Sequence, residues 1–496
     1  MGELTRRAIL LAGGGIVGGI AGAKLTSKRP PLAGTTSLQP VGADGTMNDA
    51  SLLSETPIFR HTVAVENPTE ILADKIRAEI AAARDEGRPF NVGAGRYSMG
   101  GHAIPTNGHA MTFDNGFTQI NRGGTTYRVH AGARWSDVIR ALDPLGFGPK
   151  VMQSNNDFGV AATFCVNAHG WPAPHGPMGS TVRSMFIVRP DGELVRCSRT
   201  ENAPLFFATM GGYGLTGAVI ELEVEAEPNL NLEPTFRKVP SRDFAPFFVG
   251  AIESGDVNMA YGRLNVDRDT FFEDAMVITY RAAADQNIVP PASGSGTLSQ
   301  LSRHVFRAQV ANERAKDLRW WFETGLGTMF ASGPVSRNSL INEPVVTLED
   351  KDPTRTDILH EYFVPPGRFA DFVTACQEVI PSSYQELLNI TLRYVAGDEE
   401  SVLAYAPAPR IACALLFSQE MTQRAETDHA RMTQALIDRV LDLGGTYYLP
   451  YRPHATNQQF RRGYPNAEKF VAEKRFYDPD LVFRNGFWDR YLADMA

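Results

Sequence analysis

Pro89–Phe113 reads PFNVGAGRYSMGGHAIPTNGHAMTF, and four glycines (Gly93, Gly95, Gly100, Gly101) fall within nine residues, directly after a short apolar run. Glycine strips side chains from a backbone, so something must approach this loop closely. A loop after a strand that offers several unblocked N–H groups makes a nest for a phosphate or pyrophosphate. A glycine-rich surface turn is the plainer alternative. The pattern is not G-x-x-x-x-G-K-[ST], which argues against a P-loop ATPase. Nor is it a strict G-x-G-x-x-G with an acid about twenty residues on, which argues against a dinucleotide-binding Rossmann unit. Tyr97, in the middle of the loop, needs its own explanation.

The chain of 496 residues is long enough for two or three domains with full cores. Its 43% apolar and 21% charged residues are those of an ordinary soluble globular protein. A net charge of −8 and no polybasic face leave no reason to expect a nucleic-acid partner. Cys165, Cys197, Cys376 and Cys413 are scattered, with no C-x-x-C, so no metal site is expected. A disulfide stays open, because spacing alone cannot assign one.

At the N-terminus, MGELTRRAILLAGGGIVGGIAGAKL places Arg6 and Arg7 before a weakly apolar, glycine-rich run that is short for a membrane span. Ala21-Gly22-Ala23 is a small-x-small cleavage pattern. Residues 1–23 therefore resemble a twin-arginine export signal, which implies a periplasmic or secreted protein with no firm membrane partner. A frayed tail or an uncleaved anchor is the alternative. Residues 24–55, rich in Pro, Gly, Ser and Thr, read as a flexible linker.

Order is expected from Thr56. Ile71, Leu72, Ile76 and Ile80 recur at helical spacing over Thr69–Arg84, and Gly87 stops that helix. PFNVGA, MTFDNG and TTYRVHAGA read as strands, and RWSDVIRALDPLG as a helix capped or started by Ser136. VRSMFIVRPDGELVRCS is a hairpin around Pro190-Asp191-Gly192, and GAVIELEVEAEP alternates as a strand with one wet face. Strands and helices interleave without regular βαβ spacing, so the class is α+β. Longer helical stretches are expected around Leu301–Phe322 and Asp428–Leu443.

Two further stretches follow the glycine loop in order: SNNDFGVAATFCVNAHGWPAPHG (Ser154–Gly176) and MGGYGLTGAVIELEVEAEP (Met210–Pro228). Together the three resemble the flavin domain of the vanillyl-alcohol oxidase superfamily, or PCMH-type flavoproteins, and most closely its alditol-oxidase-like and sugar-lactone-oxidase-like members. The resemblance spans residues 56–230 and 385–496. It implies a two-subdomain FAD-binding domain over 56–234 and a substrate (cap) domain over 235–440, with an antiparallel sheet and flanking helices. A C-terminal segment, 441–496, would pack back on the first domain.

The resemblance also implies roles. Gly93, Ala94, Gly95, Arg96, Tyr97, Ser98 and Met99 would cradle the FAD pyrophosphate. Ser154, Gly159, Ala162, Val166, Asn167, Ala168 and His169 would line the ring and diphosphate, and Val219 would touch the adenine side. The family loop reads approximately G-x-R-H-S-x-x-G, its histidine bonded to the flavin; Tyr97 stands in that place. A phenol of pKa about 10 is a poorer nucleophile at neutral pH, so FAD is expected to be bound but not tethered. His169 is either a flavin contact or a hydrogen-bonded structural histidine, and Cys165 either a small buried residue or a second linkage.

On the substrate side, NITLRYVAGDEESVLAYAP (Asn389–Pro407) and YLPYRPHATNQQF (Tyr448–Phe460) resemble alditol-oxidase-like segments. They imply Arg393 as a cation beside the flavin and His454 as base or hydrogen-bond partner, with Ser418 lining the pocket. A strand-end surface charge and an ordinary loop histidine are the plainer readings of the first two. The family's polyol pocket has a glutamate where this chain has Thr391 and a lysine where it has Asn457. A small sugar alcohol is thereby disfavoured.

The expected protein is an exported FAD-dependent oxidoreductase oxidising a C–OH group of a small molecule by hydride transfer, with oxygen or another electron acceptor. A dehydrogenase feeding a quinone or cytochrome is the alternative within enzymes, and a degenerate flavoprotein kept as a binding module the alternative outside them. Replacing both Arg6 and Arg7 by Lys is expected to strand active, full-length protein in the cytoplasm. Unchanged periplasmic activity on fractionation would remove the twin-arginine assignment.

Overall fold

Gly87, at φ +63°, ends the helix Glu70–Asp85, whose Leu72, Ala73, Ile76 and Ile80 are buried while Ile71 faces solvent. The computed structural model describes residues 34–114, 121–123, 125–294, 306–325, 328, 333–345, 350 and 352–496. The signal expected over 1–23 and residues 24–33 of the expected linker lie outside these, as do residues 301–305 of one expected helix. The rest of that stretch is no flexible linker: Asp49 and Ser51 are buried, accepting from Gly101 N and Thr356 Oγ1 at 2.8 Å each.

Three sheets carry the molecule. Phe90–Gly93 and Arg60–Ala64 flank His109–Phe113 in a parallel three-stranded sheet, so the glycine loop leaves the end of an outer strand. A six-stranded antiparallel sheet follows, centred on Ala218–Pro228 between Val182–Val188 and Thr126–His130. In that central strand Leu222, Val224 and Ala226 are buried while Glu221, Glu223 and Glu225 stay half-exposed, the wet face that alternation implied. The hairpin Val182–Val188/Leu194–Ser198 forms as read, with Gly192 at φ +87°. Ser136 does not start the next helix. Trp135–Leu142 begins after Arg134, whose amide is accepted by Asp137.

The third sheet is antiparallel and eight-stranded. Its middle runs Val257–Leu264, Glu386–Val395, Arg410–Glu420, Arg355–Val364. Its strand Asn231–Pro240 straddles residue 234, so the second sheet begins four residues before the boundary drawn from the sequence. The helices Phe369–Val379 and Gln423–Asp442 pack on it in one apolar core. The C-terminal segment returns to the first domain: Phe90 N donates to Val482 O (2.7 Å), and Gly486 N to Gly101 O (3.0 Å). All four cysteines are free. Among the described residues no helix is long and apolar enough to cross a membrane.

Between the eight-stranded sheet and the helix Gln423–Asp442 lie three histidines packed against one another. His360 Nε2 is 3.1 Å from His454 Nδ1, and His454 Nε2 is 3.0 Å from Glu426 Oε1, which Arg452 also holds. His429 packs edge-on to His360. Burial pushes His360 and His454 below their ordinary value and His429 down to about 3. Folded, these rings charge only at lower pH than when unfolded, where they protonate at about 6.5. Unfolding therefore takes up protons below that pH, and stability falls as pH drops from about 6.5 toward 4. His429→Gln should make the decline shallower by up to about 1.4 kcal/mol per pH unit in denaturant titrations. An unchanged slope would mean that His429 is already charged in the folded protein.

Candidate active site

The glycine loop opens into a cleft. One end is floored by Gly93, Ala94, Gly95, Arg96, Tyr97 and Ser98, and the other by Glu361, Arg393, Tyr448 and Tyr451. Between them run Ser154, Gly159, Ala162, Val166, Ala168, His169 and Val219. The amides of Gly95, Arg96 and Ser98 donate to no acceptor among the described residues. Arg96 sits at φ +49°, a left-handed turn of the kind that faces consecutive amides to one side. Its guanidinium bonds Thr112 Oγ1 (2.9 Å) and Ala103 O (3.3 Å), and burial lowers its pKa to about 10, so it stays cationic at neutral pH. Bare amides beside a cation fit a pyrophosphate. The wall is tight at one point: a Cβ on Gly159 would stand 3.1 Å from Ala94 Cβ.

Tyr97 lies against Phe158, ring centroids 4.4 Å apart, and its hydroxyl donates to Asp157 Oδ2 at 3.3 Å. Cys165 also lines the cleft, but burial pushes its thiol up to about 12, so it is protonated at neutral pH.

At the other end the sheet register sets the geometry. Thr391, Ala414 and Glu361 form one transverse row across three strands. The carboxylate missing at Thr391 is thus supplied two strands away, on the same face, with small Ala414 between. Glu361 is buried, and three donors surround it. His169 Nε2 stands 3.0 Å and Arg393 Nη1 3.6 Å from Oε1, and Tyr451 Oη donates to Oε2 at 3.3 Å. The imidazole approaches off the line of its N–H, so Oε1 receives no well-directed hydrogen bond. Burial raises the Glu361 carboxyl, but His169, Arg393 and Tyr451 outweigh it and leave the group below its usual range. Burial likewise holds His169 below its ordinary value despite Glu361, so the imidazole is neutral. Arg393 Nη2 donates to Ser154 Oγ at 3.3 Å, tying the second sheet to the first domain.

Four residues expected at the site are placed elsewhere. His454 lies on the helix side of the sheet, both nitrogens engaged by His360 and Glu426; Tyr448, Pro450 and Tyr451 of the same segment reach the cleft instead. Ser418 is on the cleft face of its strand, but four residues beyond Ala414 is about 13 Å. There its hydroxyl accepts from Arg355 Nε at 2.8 Å. Asn167 is a clamp, donating to Asp398 Oδ2 (2.8 Å) and accepting from Gly179 N (2.9 Å). Met99 is buried, its amide donating to Pro450 O at 2.7 Å. Glu361, Tyr448 and Tyr451 were not singled out in the sequence. For Glu361 the one signal was an acid inside the apolar run ILHEYFV.

Residues 72–198 match the family described as FAD binding domain, a span that holds the glycine loop and the His169 segment. The chain belongs to the PCMH-type FAD-binding oxidoreductase superfamily. Over 449 residues it is 24% identical to the decaprenylphosphoryl-beta-D-ribose oxidase of Mycolicibacterium smegmatis, covering 82% of this chain and 90% of that one. It is 32% identical over 167 residues to cytokinin dehydrogenase 1 of Oryza sativa subsp. japonica, 32% of this chain and 31% of the other. Cytokinin dehydrogenase 5 of Arabidopsis thaliana is 28% identical over 218 residues, 39% of each chain. This PCMH-type protein is an FAD-dependent oxidoreductase, and its α+β fold with an antiparallel second sheet is that of the superfamily. Among the described residues no cluster of His, Cys, Asp and Glu could hold a metal ion.

Gly170 explains the His-Gly pair of the superfamily member's second stretch. A Cβ there would lie 1.8 Å from Met152 O, so only glycine lets that backbone pass and sets His169 against Glu361. Gly170→Ala should lower stability by about 2–3 kcal/mol and the flavin content with it. Thermal unfolding and the 450 nm absorbance, scaled to protein, check this on the purified variant; wild-type values for both would mean the contact relaxes freely.

Proposed function

We propose that this flavoprotein oxidises an alcohol, with the substrate hydroxyl held at the Arg393 end of the cleft. The observation that carries the reading is the buried array of Arg393, Glu361 and His169, opening onto the same cleft as the amide nest. FAD, when bound, accepts the hydride. The chain's own residues hold the other atoms. Arg393 offers its guanidinium to the hydroxyl oxygen, polarising the O–H bond as the carbon loses hydride. Glu361 accepts the hydroxyl hydrogen at Oε1, with neutral His169 beside it. Tyr448 and Tyr451 close the wall and keep water from the reacting carbon.

The cofactor is held without a covalent bond: Tyr97 directs its hydroxyl to Asp157, and the Cys165 thiol stays protonated. The donor is a small molecule less polar than a sugar alcohol, since the second charged polyol group has no counterpart at Asn457. The relatives' names include both oxidase and dehydrogenase, so oxygen, a quinone or a cytochrome all remain acceptors to test. Peroxide formation against dye reduction separates them. Export by the twin-arginine route rests on residues 1–23 alone.

Acid precipitation of the yellow protein should leave FAD in the supernatant; a yellow washed pellet would place a tether at Tyr97 or Cys165. Arg393→Ala should slow anaerobic flavin bleaching by an alcohol about a hundredfold, while the protein stays folded and yellow. Lysine should rescue only in part, because it keeps the charge and loses the planar fork. Wild-type bleaching in Arg393→Ala would remove this arginine from the chemistry.

A further inference from the structure

A buried guanidinium beside a flavin is by itself a carboxylate receptor. Its planar fork matches two carboxylate oxygens, and burial strengthens the pairing. Arg393 is 13% exposed at its side chain and would serve that end well. What prevents it is the acid already there. Glu361 is 1% exposed, its Oε1 is 3.6 Å from Arg393 Nη1, and His169 and Tyr451 hold the carboxylate from two other directions. It cannot swing away to admit a second anion without leaving all three donors.

The charges at this end therefore sum to zero. Glu361 carries −1 and Arg393 +1, and His169 is neutral. Among the described lining residues the other formal charge is Arg96, in the amide nest, its guanidinium turned to Thr112 and Ala103. We propose that the Glu361–Arg393 pair makes this end of the cleft electrically neutral, and that Glu361 is thereby the specificity-determining residue that excludes carboxylate-bearing donors and confines the enzyme to uncharged hydroxyl compounds. An incoming carboxylate would face Glu361 at close range, and an ammonium would face Arg393. A hydroxyl suffers neither, because it donates to Oε1 and accepts from the guanidinium at once. Glu361 comes from a different strand than the absent family glutamate, so this is a property of this chain's own register.

The inference rests on the reading of Arg393 as the group facing the substrate, but it is tested by binding and not by turnover. Benzoate and benzylammonium share a ring and differ in charge; each is titrated into the purified holoprotein by calorimetry and by perturbation of the flavin spectrum. Wild type should bind both weakly. Glu361→Gln leaves the guanidinium uncompensated and should tighten benzoate by at least about tenfold. Arg393→Gln leaves the carboxylate alone and should tighten benzylammonium by a similar factor, and the double variant should lose both gains. Circular dichroism and retained yellow colour certify each variant, and where one variant does not fold the gain of the other alone decides. Benzoate binding to wild type as tightly as to Glu361→Gln overturns it, as does the absence of both gains. Alcohol turnover with no change of charge preference would fail this proposal alone. A reciprocal charge preference in a protein that oxidises no alcohol would fail the alcohol reading alone.

Discussion

Removing a carboxylate from water costs several kcal/mol unless the fold returns opposite charge and hydrogen bonds to it. Glu361 meets that demand with groups from three parts of the chain. His169 comes from the flavin-binding domain, Arg393 from the neighbouring region of its own sheet, and Tyr451 from the C-terminal segment. None of the three parts can dock out of place without stranding a buried charge. The same acid therefore fixes the domain arrangement, the protonation of the imidazole and the charge seen by a substrate. A packing contact shapes the same corner: Gly170 lets Met152 pass, and without that approach His169 would not reach the sheet.

The amide nest obeys a different constraint. Its donors are left bare by the protein, which is tolerable only where an anion or water completes them. Arg96 is committed to carbonyl and hydroxyl oxygens of the protein and not to a carboxylate, so its charge is not cancelled locally. The cleft is thus polarised along its length, positive at the nest and balanced at the sheet. A dianionic diphosphate and a neutral reacting group find matching environments in one continuous space.

Much of the first domain was legible because it is written locally. The helix Glu70–Asp85, the hairpin at Gly192 and the alternating strand Ala218–Pro228 follow from period and turn chemistry within single windows. The substrate side was less so. Arg393 reaches the cleft, but His454 does not, because Glu426 on a helix drawn from elsewhere in the chain claims it. Ser418 shares the parity of Ala414, so alternation alone could not tell the right level of the strand from the wrong one. Glu361 was invisible for a related reason. An acid in ILHEYFV reads equally as a wet edge, and only the pairing of three strands shows it standing in the row of Thr391. Local periodicity gives the face of a strand; register, a long-range quantity, gives the neighbour.

The return of the C-terminal segment bears on the order in which the molecule can mature. Asn485 Nδ2 donates to His102 O (2.6 Å) and Tyr213 O (2.9 Å), and Phe483 continues the sheet beside Phe90. The strand that launches the glycine loop is therefore an unfinished edge until residues 482–486 arrive. During synthesis the loop exists long before its supports do. The nucleotide site is accordingly tied to residues far along the sequence: substitution of Asn485 would loosen His102 and Tyr213, both of which line the cleft.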